Sequence, residues 1–169
     1  MEAKRAHEGS HIVVGVDGSD ESVLALKWAQ TLAHSLAATI TAVTAWQVET
    51  MFGTYISPDW DPNEDAGRIL KDAVHRAFAD NPPEGFNGVT VRGRPAQVLL
   101  EAAQSAQMLI VGSRGRGGFK GMLLGSVSSA CVEHASCPVL VVHTSANTAS
   151  MPATAGTHQA DTDVPVRNS

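Results

Sequence analysis

Residues 108–129 read MLIVGSRGRGGFKGMLLGSVSS, and this stretch decides the fold. Met108 to Gly112 is a continuous apolar run, the pattern of a strand buried on both faces of a parallel sheet. It runs straight into six glycines within fourteen positions: Gly112, Gly115, Gly117, Gly118, Gly121 and Gly125. Glycine at that density implies positive φ angles or close approach of the backbone to something else. A helix is expected from Gly125-Ser126 to about His134. In an open parallel sheet the loops at the carboxyl ends of the strands form the ligand crevice, and helix N-termini there favour anions. Successive backbone N–H groups in a glycine loop can converge on phosphate oxygens without a side chain in the way. Ser126 adds a hydroxyl at the helix start, while Arg114, Arg116 and Lys120 make the loop cationic. These residues describe a phosphate-binding loop.

Working outward, the same strand–helix rhythm recurs. Ile12 to Val16 is a second buried apolar run, followed by Ser19-Asp20-Glu21 as an N-cap candidate with first-turn acids. Ala25, Leu26, Ala29, Leu32, Ala33 and Leu36 then form one helical face. Thr39 to Trp46 is β-branched and predicts a strand. A helix is expected from about Glu64, with Ala66, Ile69, Leu70, Ala73 and Ala77 inward, stopped by Asn81-Pro82-Pro83. Val89 to Arg92 predicts a short strand. Pro95 suits the first turn of a helix whose inward stripe is Val98, Leu99, Ala102, Ala103 and Ala106. Pro138 to Val142 is the last strand. Five strands separated by helices imply a parallel α/β sheet with right-handed crossovers.

Composition sets the limits. With 43% hydrophobic and 17% charged residues over 169 positions, the chain can bury a core and is one domain in length. Twelve Lys and Arg against seventeen Asp and Glu give a net charge of −5. A nucleic-acid or anionic-membrane partner is therefore not expected, since both need a basic surface. Two cysteines fit a reducing cytoplasm, and the N-terminus lacks a secretory apolar core. Residues 1–10 are expected to be a flexible lead, and 144–169, rich in Ser, Thr, Ala and Pro, a disordered tail. Gln47 to Asp61 is a long connection carrying Phe52, Tyr55 and Trp60, a candidate lid or dimer contact or ordinary satellite packing.

The familiar phosphate motifs fail on the glycine loop. Gly112 to Gly117 has Walker A spacing, but Gly118 and Phe119 stand where Lys and Ser/Thr belong. The dinucleotide fingerprint needs glycine where Lys120 stands. The residues do fit G-x2-G-x9-G-[ST], as Gly112, Gly115, Gly125 and Ser126. This resembles the nucleotide-binding motif of the universal stress protein family, in its ATP-binding branch. IVVGVDGSDES, GRPAQVLLEAA and SCPVLVV are similar to the family's first βα unit, third helix and last strand, and the resemblance covers residues 10–143, with the domain placed at 11–143.

The resemblance implies a three-layer, Rossmann-like α/β sandwich of strand order 3-2-1-4-5. It implies an adenine-nucleotide site in which Asp17, after Gly15 and Val16, contacts the nucleoside and Ala45 meets the adenine. Gly112, Ser113, Gly115, Gly125, Ser126 and Val127 would hold ribose and phosphates. Phosphate contacts by Arg114 and Arg116 are inferred from charge alone. The ligand expected is ATP with Mg2+ or Mn2+. The family further implies a homodimer through the edge strand Pro138–Val142 and a nucleotide-dependent regulatory role toward a protein partner. With no Walker B acid or dedicated general base, at most slow hydrolysis is expected, so the chain is read as a binding module rather than an enzyme. The alternative is an ATP-pyrophosphatase-like adenylating enzyme, whose pyrophosphate loop VDGSDES resembles only distantly. Cys131, His134 and Cys137 form C-x2-H-x2-C, but Cys131 is in phase with Val127 and Ala130 on a helix face, so packing is preferred over zinc.

Overall fold

The computed structural model describes residues 10–48, 61–116 and 123–144. The N-terminal lead before Ser10, the aromatics Phe52, Tyr55 and Trp60, Lys120 with Gly117, Gly118 and Gly121, and the tail beyond Thr144 lie outside the described residues.

Five strands, β1 (His11–Gly15), β2 (Thr39–Trp46), β3 (Phe86–Arg92), β4 (Met108–Gly112) and β5 (Val139–Val142), alternate with four helices. The helices are α1 (Asp20–Leu36), α2 (Pro62–Phe78), α3 (Pro95–Ala102) and α4 (Ser126–His134). All strand pairings are parallel, in the order β3-β2-β1-β4-β5. The implied order 3-2-1-4-5 is the observed one.

The apolar runs are continuous because alternate residues serve different layers. Ile12, Val14, Ile40, Ala42 and Ile110 face α1 and α2, where Leu26, Ala29, Leu70 and Ala73 meet them. Val13, Val43, Leu109 and Val111 face the opposite way, against Val98 and Leu99 of α3 and Cys131 of α4. The sheet is thus the middle of three layers. Burying both faces lets consecutive residues at the centres of β1 and β4 contribute to the core, at about 25 cal/mol per Å² of apolar area removed from water.

Local chemistry sets the boundaries. Ser19 caps α1, its hydroxyl accepting from the Ser22 amide at 3.1 Å. Asp61 caps α2 by accepting from Asn63 and Glu64, with Pro62 at the first position, so that helix begins before the expected Glu64. β3 starts at Phe86 rather than Val89, because its register continues back to Ile40 and Phe86 meets Phe78 edge-on at 5.5 Å. β1 is shifted one residue from Ile12–Val16, though the Val16 amide still reaches the Val43 carbonyl at 2.9 Å. α3 ends at Ala102, so Ala103 and Ala106 pack in the core from the turn that follows it. Leu36 corrects the expected inward stripe: it is 42% exposed, as the last residue of α1 before left-handed Ala37 swings the chain toward β2.

Ile110, fully buried, and Leu36 therefore make a contrasting pair. Urea denaturation is expected to show Ile110→Ala losing about 2–5 kcal/mol, against under about 1 kcal/mol for Leu36→Ala.

Candidate functional site

β1 and β4 are neighbours, with Ile12 paired to Met108 and Val14 to Ile110. From their carboxyl ends the chain departs to opposite layers: β1 leads to α1 on one side and β4 toward α4 on the other. This divergence opens a crevice at the switch point of the sheet. There a cleft of about 500 Å³ opens, within the ~300–1,000 Å³ common for small-molecule sites.

Of the nucleotide-site residues expected from the sequence, eleven line this cleft: Gly15, Val16, Asp17 and Ala45, then Gly112, Arg114, Gly115 and Arg116, and Gly125, Ser126 and Val127 at the start of α4. Ser113 is buried behind it, only 4% exposed. Its carbonyl accepts from the Gly125 amide at 2.7 Å and the Ser128 hydroxyl at 2.8 Å, tying β4's exit to the start of α4. Gly125 caps α4 without a side-chain hydrogen bond, so the first turn presents its backbone dipoles to the cleft.

Two carboxylates shape the segment after β4. Asp17 accepts from Ser19, both amide and hydroxyl, with Oδ1, and from the Arg116 amide with Oδ2 at 3.0 Å. Glu21 accepts from the Arg114 amide at 2.9 Å and pairs with its guanidinium at 3.3 Å. Gly115 lies between these anchors, and a Cβ there would sit 2.5 Å from Asp17 Oδ2. Glycine is required by this contact within the protein itself. Gly125 differs: a Cβ would find its nearest atom at 3.6 Å, an ordinary contact.

Sequence reasoning missed several participants. Val43 lines the cleft two residues before Ala45, a period-two signal that was legible. Pro95 and Leu99 line it as well, although the helical stripe read them only as a helix start and core. Glu21, taken as a first-turn acid, is buried and bound to a segment 93 positions away. No local pattern could reveal that.

Cys131 is fully buried beneath α4, in the phase expected of an apolar residue. Among the described residues, no group of three or more His, Cys, Asp or Glu is placed to hold a metal ion.

A parallel sheet of order β3-β2-β1-β4-β5 with a glycine-lined crevice at its switch point defines a Rossmann-like α/β protein. The chain belongs to the universal stress protein family, whose model matches residues 9–143. It is 37% identical over 132 residues to a universal stress protein of Mycolicibacterium smegmatis, covering 78% of this chain and 45% of the relative. Another, from Mycobacterium tuberculosis, is 40% identical over 140 residues, covering 77% and 43%. The chain thus spans less than half the length of these curated relatives. Among solved structures, a universal stress protein in complex with cAMP superposes with a TM-score of 0.60 at 32% identity, covering 81% of this chain and 98% of that one. Universal stress protein UspA from Lactobacillus plantarum shares the fold, with a TM-score of 0.63 at 24% identity, covering 79% and 97%.

Burial raises the Cys131 thiol to about 11, and neighbouring Cys137 adds to the shift. Its folded value lies above the ordinary 9.0, so the unfolded chain loses that proton first. Stability from the neutral thiol is complete below the lower value and is lost as pH rises through the higher. Between pH 9 and about 11, thermal melts of the wild type are therefore expected to fall more steeply than those of Cys131→Ala.

Proposed function

We propose that the chain binds an adenine nucleotide, ATP, in the cleft at the carboxyl ends of β1 and β4. The carrying observation is the convergence there of an apolar slot, a glycine-lined turn and the first turn of α4. Val43, Ala45, Pro95 and Leu99 offer the apolar slot for a base. In this reading Asp17 contacts the nucleoside, and Gly112, Gly115, Gly125, Ser126 and Val127 surround ribose and phosphates, with Ser113 supporting them from behind. The relative in complex with cAMP supports an adenine nucleotide as the class of ligand.

No described cluster of side chains offers a protein-built metal site. Both oxygens of Asp17 accept hydrogen bonds from the protein. Mg2+ or Mn2+ would accordingly arrive with the phosphates, screening their charge, rather than reside on the chain. The same commitment of Asp17 argues against a general base for water attack, so the module binds and signals, with at most slow hydrolysis. Occupancy would bias its behaviour toward a protein partner. The two free cysteines support a reducing, cytoplasmic setting.

β5 ends the described sheet beyond β4, with Val139, Leu140 and Val141 only partly covered. Such an edge needs cover, which supports a homodimer through Pro138–Val142. Sedimentation at micromolar concentration is expected to give twice the chain mass, and a monomer overturns that element.

Calorimetry with ATP tests the nucleotide itself. Gly125→Ala fits the free protein, so its melting temperature is expected to stay near wild type while ATP affinity falls at least ~10-fold, a cost of about 1.4 kcal/mol. Gly115→Ala is expected to lower both, because the new methyl collides with Asp17. Mass spectrometry of small molecules released from the purified protein supplies an independent readout. Absence of wild-type binding at millimolar ATP overturns the proposal, and release of pyrophosphate from ATP would favour the adenylating reading instead.

A further inference from the structure

Glu21 occupies the first turn of α1, a position where an acid needs no explanation beyond the helix dipole. Its burial does need one. The side chain is 8% exposed, and an uncompensated carboxylate at that depth is strongly unfavourable. The compensation comes from beyond its own helix. Oε2 accepts from the Arg114 amide at 2.9 Å. Oε1 accepts from the Arg114 guanidinium and the Ser113 hydroxyl, both at 3.3 Å, and from the Thr144 hydroxyl at 3.5 Å. The backbones are in close contact as well: a Cβ on Gly112 would sit 2.9 Å from the Glu21 Cβ.

The two arginines of the segment consequently differ. Arg114 delivers its charge to Glu21, with two-thirds of its side chain covered. Arg116 has an amide held by Asp17, and its guanidinium reaches across to the turn after β1, where a Cβ on Gly18 would meet it at 2.8 Å. Among the described residues no carboxylate pairs with that guanidinium, and the residue is exposed at the cleft.

We propose that Glu21 is the positioning residue of this site: its carboxylate holds the Arg114 amide and guanidinium at the rear of the glycine segment, leaving Arg116 as the side chain that answers a nucleotide's phosphate charge. The assignment rests on the adenine-nucleotide reading for its ligand half only. Glu21 orders the turn; Arg116 makes the nucleotide's charge count. In this division, neutralising Glu21 frees Arg114 to compete for phosphate, so the importance of Arg114 depends on Glu21.

The test uses the full chain and the variants Glu21→Gln, Arg114→Met, Arg116→Met and the double variant Glu21→Gln/Arg114→Met. Calorimetry compares ATP with adenosine. Arg116→Met is expected to reduce ATP affinity roughly tenfold, the value of one charge-assisted contact, with a smaller change for adenosine. Arg114→Met is expected to register chiefly as a lower melting temperature, because it strands the Glu21 carboxylate. In the Glu21→Gln background, Arg114→Met is expected to cost about tenfold in ATP affinity, more than in wild type. A purely structural Glu21 would not produce that coupling.

Hydrogen exchange at the Arg114 amide, measured without ligand, is expected to accelerate in Glu21→Gln while amides of central α1 hold their rates. Equal ATP losses for Arg114→Met and Arg116→Met in wild type overturn the arginine assignment. Unchanged Arg114 exchange overturns the Glu21 brace. Failure of wild-type protein to bind ATP or adenosine removes the nucleotide reading and the arginine assignment together, but the exchange result still decides the brace.

Discussion

The site depends on where the backbone amides after β4 find their acceptors. A buried N–H without a partner costs as much as a lost hydrogen bond, so each amide of the turn must be accounted for. Ser113 donates to the Val142 carbonyl at 2.6 Å, extending the β4–β5 ladder one step past the strand. The Arg114 and Arg116 amides donate to Glu21 and Asp17, the two acids that flank the start of α1. The Gly125 amide returns to the Ser113 carbonyl. Residues 114–116 are therefore held between two carboxylates, both supplied by the β1–α1 connection and the first turn of α1.

Only the topology makes this suspension possible. Asp17 and Glu21 lie about a hundred positions from their amide partners, yet β1 and β4 are adjacent in the sheet. Because the chain leaves these strands toward opposite layers, neither α1 nor α4 covers the gap between them. The crevice takes its apolar wall from the layer beneath α3, through Val43, Val111 and Leu99, and its polar wall from the turn and the start of α4. One architectural fact, the reversal of winding at β1 and β4, therefore places an apolar wall beside the turn after β4 and the start of α4.

The sequence is informative wherever a residue's role is set within its own element, and silent where a distant partner sets it. Continuous runs such as Met108 to Gly112 were legible as doubly covered strands, because both sheet faces demand apolar residues. G-x2-G-x9-G-S was legible as a candidate site through its resemblance to a family motif, although Gly115 also answers to Asp17 within the protein itself. Boundaries slipped where the deciding contact was nonlocal. Phe86 joins β3 through pairing with Ile40 and packing on Phe78, and neither partner is close in sequence. Arg114 and Glu21 carry the same lesson at the site. Each had a sufficient local account, a loop cation and a first-turn acid, and their true relation is with each other.

That relation changes how an acidic protein can attract an anion. Within a net charge of −5 the sequence shows a cationic turn, from which phosphate contacts by both Arg114 and Arg116 were inferred. With Arg114 bound to Glu21 and Asp17 facing the same cleft, the described site is close to neutral in side-chain charge. In the proposed nucleotide complex Arg116 is the side-chain charge that meets the phosphates, and the first turn of α4, whose cap residue contributes no side-chain hydrogen bond, adds fixed dipoles. Dipoles oriented by the fold require little rearrangement when an anion arrives, whereas a free cation on a long side chain loses rotamer freedom on pairing. They also act over short range and through close approach. At position 125 the free protein has room for a side chain, so packing within the protein does not require the glycine there.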